Sequence, residues 1–157
     1  MRMIKLTSVI GAAGIALAFA GMTASAHGPE HTTATPVAQE TGATALGETV
    51  KTVFERAIPN IPGKNLIAIE VTYAPGGKSV SHIHAKSAFI YAHVLSGAIR
   101  SQVGDEPAKV YQAGENWYEN PGSHHRISEN ASATEPASLL AVIVADPGDI
   151  LTVPEVQ

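Results

Sequence analysis

The sequence of 157 residues contains no cysteine. It therefore has no disulfide, no thiolate metal ligand, no cysteine nucleophile and no lipid attached through cysteine. Only 15% of the residues are charged, the formal net charge is -4, and lysine and arginine do not cluster, which excludes a nucleic-acid-binding surface. The chain also lacks a glycine-rich phosphate loop and a nucleophile elbow. At this length we expect one domain, without separate lobes for cofactor and substrate.

The first 26 residues have the pattern of a signal peptide. Two basic residues precede an apolar stretch at residues 6–22, and a small-residue cleavage pattern ends at Ala26. The apolar stretch is marginal in length for spanning a bilayer and is rich in alanine and glycine. We expect cleavage after Ala26, a periplasmic or secreted protein, and no stable membrane insertion of the mature chain.

Residues 27–48 are rich in threonine, alanine, glycine and proline and show no apolar periodicity. This composition predicts a flexible arm that links the signal peptide to a folded domain at residues 49–157. Cleavage would leave His27 at the amino terminus with His31 nearby, a pair that could take up copper. The favoured interpretation is two solvated histidines, because nothing rigid holds the pair together.

The remaining sequence indicates β-strands. Alternation in residues 66–73 places Ile67, Ile69, Val71 and Tyr73 on one face of a strand. Short runs of the same kind follow, mostly separated by glycine or proline, at residues 79–84, 88–95, 98–103, 108–111, 116–118, 124–128 and 138–145. This spacing predicts an all-β sandwich or barrel. A short helix within residues 49–56 is the only helix that the pattern allows.

The histidines carry the clearest chemistry. His82 and His84 are two residues apart on a predicted strand, so both side chains leave the same face and can bind one metal ion. His124 and His125 follow a second glycine-containing turn, and adjacent residues point to opposite faces, so only one of them is expected to bind. A single His-x-His is a weak signal, whereas two separate turn-plus-histidine elements point more specifically to a shared metal site.

The spacing of these glycines and histidines resembles the two motifs of the cupin superfamily, Gly-x5-His-x-His-x3–4-Glu-x6-Gly and Gly-x5-Pro-x-Gly-x2-His-x3-Asn. The matching positions are Gly76, His82, His84 and Gly97 in the first motif, and Gly114, Gly122 and His125 in the second. The resemblance covers about residues 64–146. It implies a small double-stranded antiparallel β-barrel, or jelly roll. It also implies a divalent transition metal (iron, manganese, nickel, copper or zinc) held by His82, His84 and His125.

Three positions depart from the cupin motifs. Counted back from Gly97, the glutamate position of the first motif is occupied by Ile90, so the usual carboxylate ligand is missing. In the second motif Asn120 replaces the proline and Glu129 replaces the asparagine, although Pro121 and Asn130 stand one residue later. A centre of three neutral histidines keeps one more positive charge than a centre with a carboxylate, which should favour an anionic ligand and lower the pKa of bound water.

Other residues are candidates for the missing ligand. His93 has the opposite parity to Ile90, which places it on the other face of its strand. Glu70 and Glu119 could reach the cavity, but carboxylates are rarely buried, so we interpret both as surface or rim residues.

The sequence allows two roles for each residue that could line the predicted cavity. Phe89, Tyr91, Trp117 and Tyr118 could wall a cavity for a small molecule or form ordinary core. Arg100 and Gln102 share a strand face and could orient an anionic ligand or lie exposed.

The resemblance leaves three functions open. The first is an exported metal-binding cupin that binds or transforms a small molecule, as an oxidoreductase inserting dioxygen or as a Lewis-acid enzyme. Some oxygen-activating cupins use three histidines. The second is a non-catalytic cell-envelope protein that binds a small ligand or sequesters metal, and the third is a metal-free structural or partner-binding module. The sequence identifies no catalytic base and is compatible with a homodimer formed through sheet edges.

Overall fold

The structure is a computed structural model that describes residues 46–155. The predicted signal peptide, its cleavage site, the pair His27 and His31, and the arm as far as residue 45 lie outside the described residues. Within residues 46–155, no helix is long and apolar enough to cross a membrane.

The described part of the chain is built of strands, which confirms the all-β prediction. They are β1 (Glu48–Ala57), β2 (Asn65–Tyr73), β3 (His82–His84), β4 (Phe89–Ser96), β5 (Ala98–Val103), β6 (Lys109–Gln112), β7 (Asn116–Glu119), β8 (His124–Asn130), β9 (Ala137–Ala145) and β10 (Thr152–Pro154). They form two antiparallel sheets with the orders β1-β2-β9-β4-β7 and β10-β3-β8-β5-β6. Buried apolar side chains from the two sheets pack together, as in a jelly roll.

The alternation predicted for β2 is confirmed. Ile67 and Tyr73 are buried, and Ile69 and Val71 pack against the same core from partly buried positions. β2 lies between β1 and β9, so one face of the strand meets the core while both of its edges are hydrogen-bonded.

The helix considered for residues 49–56 is wrong, because these residues form most of β1. The strand pairs with β2 from Glu48 opposite Tyr73 to Ala57 opposite Asn65, with an irregularity between Thr52 and Phe54. Its β-branched threonines and valines favour extended backbone. Pairing with the edge of β2 also gives the backbone N–H and C=O groups of these residues hydrogen-bond partners. A helix of only two turns would be marginally stable.

A bulge in β8 explains how the chain tolerates its displaced asparagine. His125 pairs with Val103 and Ile127 with Gln102, so Arg126 is an extra residue without an opposite partner. The extra residue shifts the alternation by one, and Asn130 is buried as His125 is. The Asn130 side chain donates hydrogen bonds to two backbone carbonyls, at 3.0 and 2.7 Å. Asn130 therefore faces inward although it lies one residue past the motif position.

Candidate metal centre

Two neighbouring strands of the second sheet bring the three predicted histidines together. His82 and His84 lie on β3 and His125 lies on β8, with His82 directly opposite His125. One ring nitrogen of each histidine lies within 4.8 Å of those of the other two. Nitrogens that bind one zinc ion at about 2.0–2.1 Å lie at most about 4.2 Å apart, so a separation of up to 4.8 Å is close to what one ion requires and a small rotation of the rings would meet it. The structure thus brings the predicted ligands to one point, and their binding of metal stays a prediction.

Backbone carbonyl oxygens accept hydrogen bonds from one ring nitrogen of His82 and one of His84. Nδ1 of His82 lies 2.7 Å from the carbonyl oxygen of Val80, and Nδ1 of His84 lies 3.2 Å from that of Leu151. A carbonyl can only accept, so each Nδ1 carries the proton and each Nε2 keeps a free lone pair. Hydrogen bonds of this kind fix the tautomer and the orientation of metal-binding imidazoles.

The cluster fits a divalent transition metal. Nε2 of His84 is buried and has no hydrogen-bond partner within residues 46–155. A buried lone pair without a donor is costly, and a metal ion would satisfy it. Imidazole nitrogens suit iron, nickel, copper and zinc, so the donor set is compatible with several metals.

The titration of the rings favours the metal-binding form. Burial, the largest cause, lowers the pKa of His125 to about 4, although the neighbouring Glu119 acts to raise it. Burial also lowers the pKa of His82. Both rings are therefore neutral near pH 7, and a metal ion need not displace a proton from either of them.

Glu119 is the site residue that the sequence analysis misplaced. It is 2% exposed, so its assignment to the surface or rim is wrong. Its Oε2 lies 3.0 Å from Nε2 of His84, its Oε1 lies 3.2 Å from Nδ1 of His125, and Nε1 of Trp117 donates a hydrogen bond to Oε1 at 3.1 Å. Alternation in β7 is the signal that could have found it, because Trp117 and Glu119 share the inward face.

The environment of Glu119 keeps its carboxyl ionised. Burial is the largest influence and by itself raises the pKa, as it does for any buried acid. The contacts with His84 and His125 and the hydrogen bond from Trp117 lower the pKa by more, so it lies below the ordinary value for glutamate. A buried carboxylate therefore faces the histidines from the opposite sheet.

The remaining histidines lie outside the cluster, as the parity argument predicted. His93 is on the other face of β4 from Ile90, where its ring stacks against Tyr91 with the centroids 6.3 Å apart. His124 faces away from His125, and its Nε2 contacts Ser81 at 2.8 Å and Glu155 at 3.2 Å. Glu70 has the opposite parity to the core residues of β2 and does not line the cavity beside the histidines, in agreement with a surface carboxylate.

Only one of the four aromatic candidates lines the cavity. Trp117 is buried beside the histidines, whereas Phe89, Tyr91 and Tyr118 are 43%, 40% and 62% exposed. Phe89, Tyr91 and Tyr118 are therefore neither cavity wall nor core, the two roles considered for them, because alternation turns them outward.

The two polar candidates on β5 do not line the cavity either. Arg100 donates to Glu129 at 2.6 Å, and Gln102 donates to the carbonyl of Glu106 at 3.0 Å. Neither side chain is placed to orient a ligand at the histidine cluster.

The cavity next to the histidines is small and mostly apolar. Its volume is about 70 Å³. The histidines and Glu119 form its polar end, and its apolar wall comes chiefly from the first sheet, with Ile90, Ala92, Trp117, Leu139, Ala141 and Ile143.

A comparison with protein families decides the affiliation of the chain. Residues 69–143 match the family model described as the Cupin domain. These residues form a cupin domain. All three clustered histidines fall inside the matched segment of this cupin, as does Ile90 at the position of the motif glutamate. No curated protein matches the sequence.

Solved structures share the fold of this cupin. One is a conserved protein with a double-stranded β-helix domain from Klebsiella pneumoniae, with a TM-score of 0.56 and 19% identity over 73% of this chain and 89% of that one. An RmlC-like cupin from Shewanella frigidimarina has a TM-score of 0.52 and 18% identity over 71% and 88% of the two chains. Oxalate oxidase in complex with the substrate analogue glycolate has a TM-score of 0.54 and 23% identity, and the match covers 73% of this chain but 59% of the oxidase. Identities this low show a common fold alone.

Proposed function

We propose that this cupin holds one divalent transition-metal ion through His82, His84 and His125, and that a small molecule binds or is transformed there. One observation carries the proposal: three ring nitrogens converge within 4.8 Å. The orphaned Nε2 of His84 supports it.

The residues around the cluster would position the ligands. The carbonyls of Val80 and Leu151 hold the Nδ1 protons of His82 and His84, so the Nε2 atoms stay free to bind. Ser101 contacts Nε2 of His125 at 2.9 Å and orients the third ring. When bound, a metal ion supplies Lewis-acid activation or, if it is redox-active, a site for dioxygen chemistry.

The cavity limits the size of the small molecule. An apolar protein cavity of roughly 150 Å³ can hold benzene. The cavity here, at about 70 Å³, suits a ligand of a few non-hydrogen atoms with a polar group directed at the histidines. Its apolar wall favours a compact hydrocarbon portion on the other side.

Metal analysis of the full chain, purified without a histidine tag or chelator, tests the proposal. We expect about one ion per chain in the wild type, and a large loss in His82→Ala, His84→Ala and His125→Ala. His93→Ala and His124→Ala are matched controls, because both remove a histidine outside the cluster, and both should retain the metal. A wild-type protein that holds no metal, even after reconstitution, would overturn the proposal.

A second measurement separates an enzyme from a non-catalytic ligand-binding or metal-sequestering protein. Anaerobic protein reconstituted with Fe(II) is mixed with a panel of small carboxylates and carbonyl compounds, and both oxygen uptake and product are measured. Oxygen uptake with product indicates a dioxygenase, and product without oxygen uptake indicates Lewis-acid chemistry. A metal-loaded protein that converts nothing in the panel supports the binding role.

We also propose that the protein is exported. The N-terminal pattern of residues 1–26 supports this proposal. Cell fractionation followed by intact-mass measurement should find, in the periplasm or medium, a chain that begins at His27. A cytoplasmic chain that retains residues 1–26 would contradict it. The homodimer also stays a prediction, which light scattering on the purified protein can check.

A further inference from the structure

The missing motif carboxylate and the buried Glu119 are neighbours in the fold. Ile90, at the motif glutamate position, lies directly opposite Glu119 in the pairing of β4 with β7. Both side chains are 2% exposed, so both point into the interior. Opposed residues on one face of an antiparallel pair have their Cβ atoms about 4.5–5.5 Å apart. A carboxylate is therefore present one strand away from the position where the motif would place it.

The reach of Glu119 matches that of a metal ligand. Its oxygens lie 3.0 Å from Nε2 of His84 and 3.2 Å from Nδ1 of His125. Donor atoms that share one ion at about 2.0–2.1 Å stand about 2.9–3.4 Å from each other in octahedral or tetrahedral arrangements. Both contacts are within that range.

The contact between Glu119 and His84 needs a positive charge to be favourable. Nδ1 of His84 carries the ring proton, because it faces the carbonyl of Leu151. Its Nε2 then faces a carboxylate oxygen at 3.0 Å, and this contact is favourable when a proton or a metal ion lies between the two atoms. The two atoms are not aligned for a hydrogen bond, and Nε2 of His84 has no other partner in the described part of the chain.

The protein alone leaves one oxygen of Glu119 poorly satisfied. Trp117 donates to Oε1 at 3.1 Å, but the side-chain hydrogen bond found for Oε2 in residues 46–155 is a long one from Ser123, at 3.5 Å. Burying a carboxylate without strong partners costs several kcal/mol. A metal ion shared with the histidines would offset that cost.

We propose that Glu119 is the fourth protein ligand of the metal centre, supplied by β7 in place of the carboxylate that Ile90 cannot provide. This inference rests on the proposed three-histidine site. With Glu119 bound, the protein contributes one negative charge, so a divalent ion retains a net charge of +1. The preference for an anionic ligand is then weaker than the sequence alone predicts.

Titration of the full chain with Co²⁺ tests the assignment, since the visible spectrum of Co²⁺ reports its ligands. The wild type should bind one Co²⁺ per chain at the site. Glu119→Gln should raise the Kd for Co²⁺ about tenfold to a hundredfold. It should also change the visible spectrum, because an oxygen ligand is lost. Glu106→Gln is the matched control, because Glu106 is exposed and outside the cavity. It should leave both the Kd and the spectrum unchanged.

The outcomes separate this inference from the proposed function. A wild type that binds no Co²⁺ at the histidines would refute the three-histidine site itself. If Glu119→Gln binds Co²⁺ with the wild-type Kd and spectrum, Glu119 is not a ligand. A raised Kd with an unchanged spectrum would also overturn the assignment, because Glu119 would then only position His125.

A swapped variant gives an independent check. Ile90→Glu combined with Glu119→Ile returns the carboxylate to the motif position on the neighbouring strand. The double variant should bind Co²⁺ more tightly than the single variant Glu119→Ile. Circular dichroism that matches that of the wild type shows that each variant is folded. If the folded double variant binds Co²⁺ no more tightly than Glu119→Ile, a carboxylate on this interior face of β4 and β7 is not a metal ligand.

Discussion

Tyr73 joins the two sheets through its hydroxyl group. Its side chain is 1% exposed at the end of β2, and the hydroxyl lies 2.6 Å from Oγ of Ser79 and 2.8 Å from Oγ of Ser128 on β8. Burial, the largest cause, raises the pKa of Tyr73 to about 12, and the two serine hydrogen bonds offset only part of that effect. The phenol therefore stays protonated in the folded protein when an exposed tyrosine would ionise.

This difference predicts an alkaline loss of stability. The unfolded tyrosine loses its proton near pH 10, whereas the folded one keeps it to about pH 12, so the folded state binds more protons between these values. The free energy of unfolding should therefore fall as pH rises through this window, by up to about 1.4 kcal/mol per pH unit. Urea denaturation at several pH values measures the slope.

Tyr73→Phe serves as the comparison for the alkaline titration. It should be less stable at pH 8, because two serines lose a buried partner, and it should show a smaller slope above pH 10. Equal slopes in the two proteins would show that Tyr73 does not control the alkaline transition.

At the scale of elements, a single residue turns the chain from one sheet to the other. β4 ends at Ser96 in the first sheet and β5 begins at Ala98 in the second, so Gly97 forms the corner. Gly97 has φ of +67°, and a Cβ there would lie 2.7 Å from the carbonyl oxygen of Pro136. Only glycine fits this corner, which gives the closing glycine of the first motif a structural reason.

We expect Gly97→Ala to destabilise the fold more than a matched glycine substitution. Gly63 also has positive φ, at +77°, but a Cβ there would meet nothing within 4 Å. Gly63→Ala should cost about 1–2 kcal/mol, from the left-handed backbone alone. Gly97→Ala should cost about 1–3 kcal/mol more because it adds a steric clash. Urea denaturation compares the two, and equal losses would show that the corner relaxes freely.

At the scale of the whole molecule, the candidate metal centre lies between the two sheets. The three histidines come from β3 and β8 of the second sheet, while Glu119 comes from β7 of the first. A metal ion bound by all four side chains would join the sheets through the interior. Such an ion binds the folded state alone and therefore stabilises it.

Metal addition should raise the resistance of the protein to unfolding. With free Co²⁺ at a hundred times its Kd, the free energy of unfolding should increase by about 2.7 kcal/mol. His84→Ala should lose this increment, and Glu119→Gln at the same Co²⁺ concentration should lose about 1.4 kcal/mol or more. Thermal and urea unfolding with and without Co²⁺ measure the increments. An unchanged wild-type midpoint would argue against a metal ion between the sheets.

The local pattern of the sequence was sufficient for most of the strands, and the resemblance to the cupin motifs supplied the choice of His125 as the third histidine. Alternation placed the core face of β2, set His82 and His84 on one face, and turned His124 away from His125. These relations follow from the two-residue period of a strand, so they can be read without knowing which strands pair.

Strand pairing decided what the local pattern could not. The edge of β2 made residues 48–57 a strand, and the pairing of β4 with β7 set Glu119 opposite Ile90. Glu119 contacts histidines on the other sheet. Most glutamates lie on protein surfaces, so the residue type alone predicted an exposed side chain. Such contacts join residues distant in the chain, and their energies depend on burial and packing that exist only once both sheets have formed.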